Sequence, residues 1–361
     1  VSAPDACPDC RRRTWLLERL AGHLDRARDR IDALLELSDD ALIAAVAGAH
    51  ADEVSVEYAA FAAAAARTRC AEAGVEAVCR CDRAYPGALH DLPAPPAVLH
   101  VIGGARRLGE LLDGQAVAVV GARQGSPYGL EIARSLGRGL AGAGVTVLSG
   151  LARGIDSAAH QGAIDVDGAT IAVLAGGAER PYPAAARRLH RRIPERGALV
   201  SELGPGTDTR RWMFLARNRI IAALSTMTVV VQGRAASGAL VTARRALELG
   251  RIVGAVPGPV TSRLSAGPHA LLRDGAELVQ GAEDVLDGLF GPGARPSPQR
   301  RRAALAPELA ALLEAIADGH ETSAAFALAG LDVDRGLAGL ASLELGGWVH
   351  RRPGGRFSVA V

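Results

Sequence analysis

Three glycine-rich stretches hold the residues from which chemistry could be built. The first is Gly121-Ala122-Arg123-Gln124-Gly125-Ser126-Pro127-Tyr128-Gly129, directly after a short apolar run. Glycines let a ligand approach the backbone closely, and Ser126 before Pro127 reads as the cap and first residue of a helix. Free amides at such a helix start would face an anion. The second stretch is Ser149-Gly150-Leu-Ala-Arg153-Gly154-Ile-Asp156, leading into Ser157 and His160. Asp156 and His160 lie four apart and could share a helix face as an acid/base pair. An Asp at a helix start beside a hydrogen-bonded structural His is the preferred reading. The third, Ala236-Ser237-Gly238 with Thr242, again sets small residues at a helix start. Gly-x-Gly-x-x-Gly is absent from the first loop, and Ser149-Gly150 stands where an acid would close the next strand, which argues against a dinucleotide enzyme. A Walker loop needs lysine, and this chain has none.

Every cation here is therefore arginine, a planar fork suited to phosphate. Arg123, Arg153 and the Arg217-Asn218-Arg219 triplet, read as opening a helix, lie in separate segments of the chain. Arginines from several loops converging on one edge would hold phosphates while reading little base sequence. The net charge of +2 conceals an uneven distribution: residues 175–251 hold fourteen Arg against five acids, +9, which leaves −7 for the rest. Such a segment suits a polyanion. Tyr182, Trp212 and Phe214 fall inside it in a chain with only 3% aromatics. Aromatic platforms beside an arginine-lined groove are what single-stranded nucleic acid requires.

The elements that must position these residues are short apolar runs: Ala116–Val120, Val145–Leu148, Thr170–Leu174, Ala198–Val200, Met227–Val231 and Ile252–Val256. Helix-length segments separate most of them: Tyr128–Ala143, Ser157–Ile164, Ala184–Ile193, Ala216–Leu224 and Ala239–Leu249. Strands buried on both faces and alternating with helices predict a doubly wound, mostly parallel α/β sheet. Residues 1–80 read as a helical domain, with an amphipathic run over Thr14–Leu37, and 81–290 as the α/β core. Residues 291–303 read as a linker. The remainder, 304–361, carries three helical stretches and a Gly-turned hairpin, a winged-helix pattern. No run approaches the roughly 18–20 apolar residues of a membrane span. No signal peptide is expected at the start, and five cysteines fit a reducing cytoplasm better than a disulfide framework.

The order of these motifs strongly resembles the DNA-processing protein A (DprA/Smf) family. The resemblance rests on Gly121-Ala-Arg-x-x-Ser-x-Tyr-Gly129, Ser149-Gly-x-Ala-x-Gly-Ile-Asp-x-x-Ala-His160, Tyr182-Pro183, Ser201-Glu202, Arg217-Asn-Arg219, Ser237-Gly238 with Thr242-Ala243, and Ala255-Val-Pro-Gly258. It runs from Asp82 to Leu286. It implies a Rossmann-like core and a cytoplasmic, non-enzymatic binder of single-stranded DNA, usually a homodimer. Such a protein protects incoming strands in natural transformation and helps load the RecA recombinase, and no cofactor is expected. It also implies phosphate contacts at Gly121, Arg123, Ser126 and Gly129, and less directly at Arg217, Asn218 and Arg219. Ala122, Tyr128, Ser149, Gly150, Arg153, Ser237 and Gly238 belong to the same loops. Arg187, Arg188, Arg191 and Arg192, with Trp212 and Phe214, are candidate auxiliary DNA contacts.

The sequence departs from the family pattern at Gln232, where Glu is usual, at His269, where Asn is usual, and at Leu215, where Pro is usual. Cys7-Pro-Asp-Cys10 lies outside that pattern. With Cys79-x-Cys81 it could make a four-thiolate zinc site, although only the first pair has knuckle spacing. Ordinary reduced cysteines are the preferred reading. A competing enzyme reading comes from the nucleoside-monophosphate phosphoribohydrolases (the "lonely guy" proteins). Their Pro-Gly-Gly-x-Gly-Thr loop is replaced here by Ala235-Ala236-Ser237-Gly238-Ala239-Leu240. A protein-interaction module that has lost DNA binding is a third reading.

Overall fold

The computed structural model describes residues 5–293, 305–345, 348–351 and 357–359, and the chain divides into two compact units, 1–298 and 299–361. The first unit opens with helices α1 (Pro8–Arg19), α2 (Ala21–Arg26), α3 (Ile31–Glu36), α4 (Asp39–Val46), α5 (Ala51–Ala59) and α6 (Ala63–Glu72). Strands β1 (Glu76–Cys79) and β2 (Val98–Ile102) and helix α7 (Ala105–Leu112) follow. Then strand and helix alternate: β3 (Ala116–Val120), α8 (Pro127–Gly142), β4 (Thr146–Ser149), α9 (Ile155–Asp165), β5 (Thr170–Leu174), α10 (Arg187–Arg196), β6 (Ala198–Ser201), α11 (Arg211–Leu224), β7 (Met227–Val230), α12 (Gly238–Glu248) and β8 (Ile252–Ala255). Helix α13 (Ala266–Arg273), β9 (Glu277–Leu278) and α14 (Ala282–Phe290) complete it.

All nine strands form one sheet, ordered β1-β2-β6-β5-β4-β3-β7-β8-β9. Every pair from β6 to β9 is parallel, whereas β2 runs antiparallel to β6 and β1 antiparallel to β2. The central runs are buried along their whole length, so helices must cover both faces. Val117 and Val119 pack with Ala133, Leu136 and Leu140 of α8 on one face. Ala118 and Val120, pointing the other way, pack with Ile220 and Ile221 of α11 and Ala243 of α12. This alternation is the period-two signature of a strand, and each fully buried Val or Leu contributes about 1.5–3 kcal/mol. A Cβ on Gly137 would stand 2.1 Å from the Ala159 carbonyl oxygen, so α8 and α9 lie close only because that residue is glycine.

The chain leaves β3 toward β4, β5 and β6, then crosses back to β7 on the other side of β3. The topological switch point therefore lies between β3 and β7, where an α/β sheet offers a crevice beyond its carboxyl ends.

Two elements differ from the sequence expectation. The Thr14–Leu37 run is not one helix but α1, α2, a 3-10 turn at Arg28–Arg30 and α3. Breaking the run lets Leu16, Leu20, Leu24, Ile31 and Leu34 all reach one cluster with Leu203, Trp212 and Met213. Arg217-Asn218-Arg219 does not open a helix: α11 begins at Arg211, so the triplet lies in its middle. Trp212 and Met213, buried against the N-terminal helices, anchor the preceding turn.

The second unit consists of α15 (Pro307–Ala317), α16 (Thr322–Leu328), α17 (Val333–Leu345) and the antiparallel pair β10 (Val349–Arg351) and β11 (Phe357–Val359). Leu312, Ile316, Phe326, Leu340, Leu343 and Val349 form its core. The 291–303 linker from residue 294 onward, and the Gly346-Gly347 and 352–356 parts of the hairpin, lie outside the described residues.

Candidate functional site

A cleft of about 1040 Å³ opens beyond the carboxyl ends of β3, β4, β5 and β7. Ala122, Arg123 and Gln124 come from the first loop, Gly150, Ala152 and Arg153 from the second, and Leu174 to Gly176 from the end of β5. Arg180 and Tyr182 add one wall, and Phe214, Arg234 and Ser237 add others. Four of the lining residues are arginines and none is Asp or Glu. The Arg123 guanidinium lies over the Phe214 ring, 4.8 Å from its centroid, and Tyr182 packs on Phe214 at 5.5 Å. A cation stacked on a ring keeps its edge donors free for a phosphate while the aromatic pair keeps a face for a base. Arg180 is committed differently, pairing with Asp208 and, at 3.5 Å, with Glu179.

The first loop is held from below. Gln232, buried at the end of β7, accepts from the Ser126 amide through Oε1 (2.9 Å) and donates from Nε2 to Ser126 Oγ (2.8 Å). Ser126 Oγ in turn accepts from the Gly129 amide at 3.2 Å. One carboxamide thus supplies both a donor and an acceptor, which a carboxylate would not. A Cβ on Gly129 would meet Gln232 Oε1 at 2.2 Å, so a side chain there would push the Gln232 carboxamide out of its place under the loop. Part of the amide set expected to await an anion at the start of α8 is already used by the protein: Pro127 has no amide hydrogen, and Ser126 and Gly129 donate internally. Within that loop, Ala122, Arg123 and Gln124 line the cleft, while Gly121, Ser126, Tyr128 and Gly129 stand outside the lining and shape it. Tyr128 donates to the Pro257 carbonyl at 2.8 Å.

Beneath the cleft lies a buried polar layer. The Arg217 side chain crosses under Gly150 and donates from Nη1 to the Val173 carbonyl at 2.8 Å. A Cβ on Gly150 would come within 1.5 Å of that nitrogen. Burial lowers the Arg217 pKa to about 10, opposed by Asp156 and reinforced by Arg123. Asp156, at the start of α9, is pushed upward by burial, while Arg217 and neighbouring backbone amides pull it back down. His160 does not meet Asp156 as a proton-transfer pair: its Nδ1 bonds to Thr170 Oγ1 at 2.7 Å. Burial, with Arg217 adding to it, drops its pKa to about 3, so the ring is a neutral structural group. Arg219 donates to both Glu202 oxygens at 2.6 and 2.8 Å, an ion pair in which both side chains are buried. Asn218 donates to the Gly238 carbonyl at 3.4 Å and so touches the start of α12.

The other expected residues separate clearly. Ser149 is buried and donates to the Val119 carbonyl, which ties β4 to β3. Trp212 is 1% exposed and belongs to the core, so it offers no platform. Its indole ring is needed to seat the N-terminal helices on α11. Arg187, Arg188 and Arg191 are exposed on α10, with Arg192 partly so, away from the cleft lining. Ser237 lines the cleft with a shielded Oγ that has no partner among the described residues, and Arg217 Nε is likewise unpartnered. Arg234 and Gln124 also line it, though the sequence does not single them out. Arg234 was legible only as a residue just beyond a strand end.

A family model described as DNA recombination-mediator protein A matches residues 76–290. The chain is 40% identical to protein Smf of Escherichia coli over 285 residues, 75% of this chain and 74% of that protein. It is 50% identical over 192 residues to a DNA processing protein DprA of Mycobacterium tuberculosis, which is 53% of this chain and 49% of that relative. The chain thus spans about half the length of that relative. Among solved structures, the X-ray structure of DNA processing protein A from Streptococcus pneumoniae superposes with a TM-score of 0.62 at 32% identity, over 76% of this chain and 94% of that one. DNA processing protein A from Helicobacter pylori, described for its unique single-stranded DNA binding mode, gives 0.52 at 29% identity, over 56% and 92%.

Proposed function

Because this chain belongs to the DNA recombination-mediator protein A (DprA/Smf) family, we propose that its cleft binds the sugar–phosphate backbone of single-stranded DNA. Arg123, Arg153 and Arg234 take phosphates, and Phe214 with Tyr182 offers a surface for a base. Gly150 admits the strand to the loop backbone, and Ser237 Oγ gains a partner from the ligand. The observation that carries this reading is a cleft at the switch point with four arginines, an aromatic pair and no carboxylate in its lining. A lining without an acid suits holding a polyanion better than general acid catalysis of ribosyl hydrolysis, so the function is binding and not turnover.

On this reading the exposed arginines of α10 extend the path of the strand. The family resemblance carries the finer part: protection of incoming single strands in natural transformation, loading of the RecA recombinase, action as a homodimer in the cytoplasm, and a C-terminal unit of winged-helix type. Among the described residues no helix is long and apolar enough to cross a membrane.

Fluorescence anisotropy of a labelled oligothymidine, with unlabelled duplex as competitor, tests the proposal over a series of salt concentrations. Affinity for the single strand is expected to fall linearly with salt on logarithmic axes, and duplex to compete poorly. Salt-independent binding, or equal competition by duplex, would overturn it.

A further inference from the structure

Cys7 and Cys10, outside the family pattern, converge in space with Cys79 and Cys81. Cys7 caps the start of α1 with Pro8 behind it, and Cys10 lies in the first turn of that helix. Cys79 ends β1, and Cys81 stands two residues on. The four sulfur atoms all lie within 4.8 Å of one another. Cys10 and Cys81, 71 residues apart in the chain, place their sulfurs 3.8 Å apart. Tetrahedral zinc with Zn–S bonds of about 2.3 Å requires sulfurs separated by about 3.8 Å along each edge. A disulfide would need about 2.05 Å, and all five cysteines of the chain are free thiols.

We propose that Cys7, Cys10, Cys79 and Cys81 bind one zinc ion as a structural centre. Four soft sulfur ligands with no imidazole or carboxylate select zinc over magnesium or calcium. Four protein ligands leave no open position, so the centre is structural and not catalytic. Binding converts four thiols to thiolates, and their protons go to solvent. The Cys7 amide donates to Cys79 Sγ at 3.4 Å, a bond that stabilises charge on that sulfur. Access is available: Cys7, Cys10 and Cys81 line a second cleft, of about 710 Å³, with Arg13 and Arg80 on its walls. The remaining cysteine, Cys70, stands apart from the four against Arg11, 3.7 Å from its Nη1.

The consequence is mechanical. Cys7 and Cys10 precede the segment that matches the family, whereas Cys79 and Cys81 lie inside it. A zinc ion would fasten the start of the N-terminal helices to the edge strand of the sheet, closing a loop that contains α1 to α6. The packing of those helices on Trp212 of α11 would then be fixed at both ends.

The test uses the full chain, without a histidine tag, prepared from zinc-supplemented medium. Elemental analysis should find one zinc per chain, and titration with a mercurial thiol reagent should release it. Cys70→Ser should keep the metal, and Cys81→Ser, at the exposed ligand, should lose it. If Cys81→Ser fails to fold, cobalt reconstitution of the wild-type chain decides: the charge-transfer and ligand-field bands of tetrahedral cobalt thiolate support the site. Substoichiometric zinc in folded wild type, full zinc in Cys81→Ser, absence of those cobalt bands, or an intact mass showing disulfides would each overturn it.

Discussion

Two sets of arginines meet at the carboxyl edge of the sheet, and they behave in opposite ways. Arg123, Arg153 and Arg234 stand on loops, lining the cleft with no ion-pair partner among the described residues. Arg217 and Arg219 stand on the middle of α11, are 7% and 5% exposed, and are committed to Val173 and Glu202. Residue type is the same, and Arg123 and Arg217 both fall in prominent sequence motifs, whereas Arg234 does not. The difference is the element beneath them: a loop beyond a strand end leaves a guanidinium facing the cleft, whereas a helix packed on the sheet buries it. Arg217 Nη1 then lies on Val173 and Arg219 Nη2 on Glu202, while Arg217 Nε and Arg219 Nε and Nη1 find no partner among the described residues. A buried arginine can raise the potential above it without touching a ligand, and Arg217 lies in that position under Gly150, with Asp156 offsetting part of its charge.

The largest effect should come from breaking the buried set. Arg219→Ala would leave Glu202 buried without its partner, and urea unfolding should show a loss of about 3–5 kcal/mol. Any protein that remains folded should bind single strands nearly as well as wild type. A variant that is stable but fails to bind would place Arg219 with the cleft residues.

Acid should act on the same layer. His100 and His160 are fully buried with pKa values lowered to about 3, mainly by burial. The unfolded chain takes up these two protons near pH 6.5 and the folded chain does not, so stability falls as pH falls below that value. It is fully retained above about pH 7, and the loss continues toward pH 3. The two groups together should cost roughly 2–3 kcal/mol between pH 7 and 5.5. Denaturation at matched ionic strength measures this, and a His160→Asn variant should show a shallower slope if it folds.

A smaller effect, on binding and not on folding, belongs to the aromatic pair. Phe214→Ala removes the ring under Arg123 and should weaken oligothymidine binding by about 1–3 kcal/mol, the range for loss of one base–aromatic stack. Phe214→Tyr should retain most of the affinity. Equal losses in both variants would mean that the ring acts only through packing.

Much of the sheet was legible because its central strands are continuous apolar runs that can exist only when covered on both faces. The edge was less so. β1 is four residues, Glu76–Cys79, and its antiparallel partner β2 lies across a proline-rich connector, so pairing and not local pattern defines it. In the cleft, Arg123, Arg153, Gly150 and Ser237 fall where the glycine-rich loops put them. Arg217-Asn218-Arg219 reads equally well as a binding motif or a buried one until Trp212 is seen to anchor α11 a turn earlier. Trp212 itself illustrates the limit: an aromatic in a basic segment carries no sign that N-terminal helices will cover it. The cysteines illustrate another, since Cys79-x-Cys81 lacks knuckle spacing and only the fold brings it to Cys7 and Cys10.

On the proposed function the loop arginines, and not those of α11, hold the DNA backbone. The direct test is the salt dependence of oligothymidine binding by a variant carrying Arg123→Ala, Arg153→Ala and Arg234→Ala together. Three lost phosphate contacts should reduce the slope of log affinity against log salt by about 2, at about 0.7 per phosphate on a single strand. An unchanged slope in a folded triple variant would contradict this and send the search for the strand to another face.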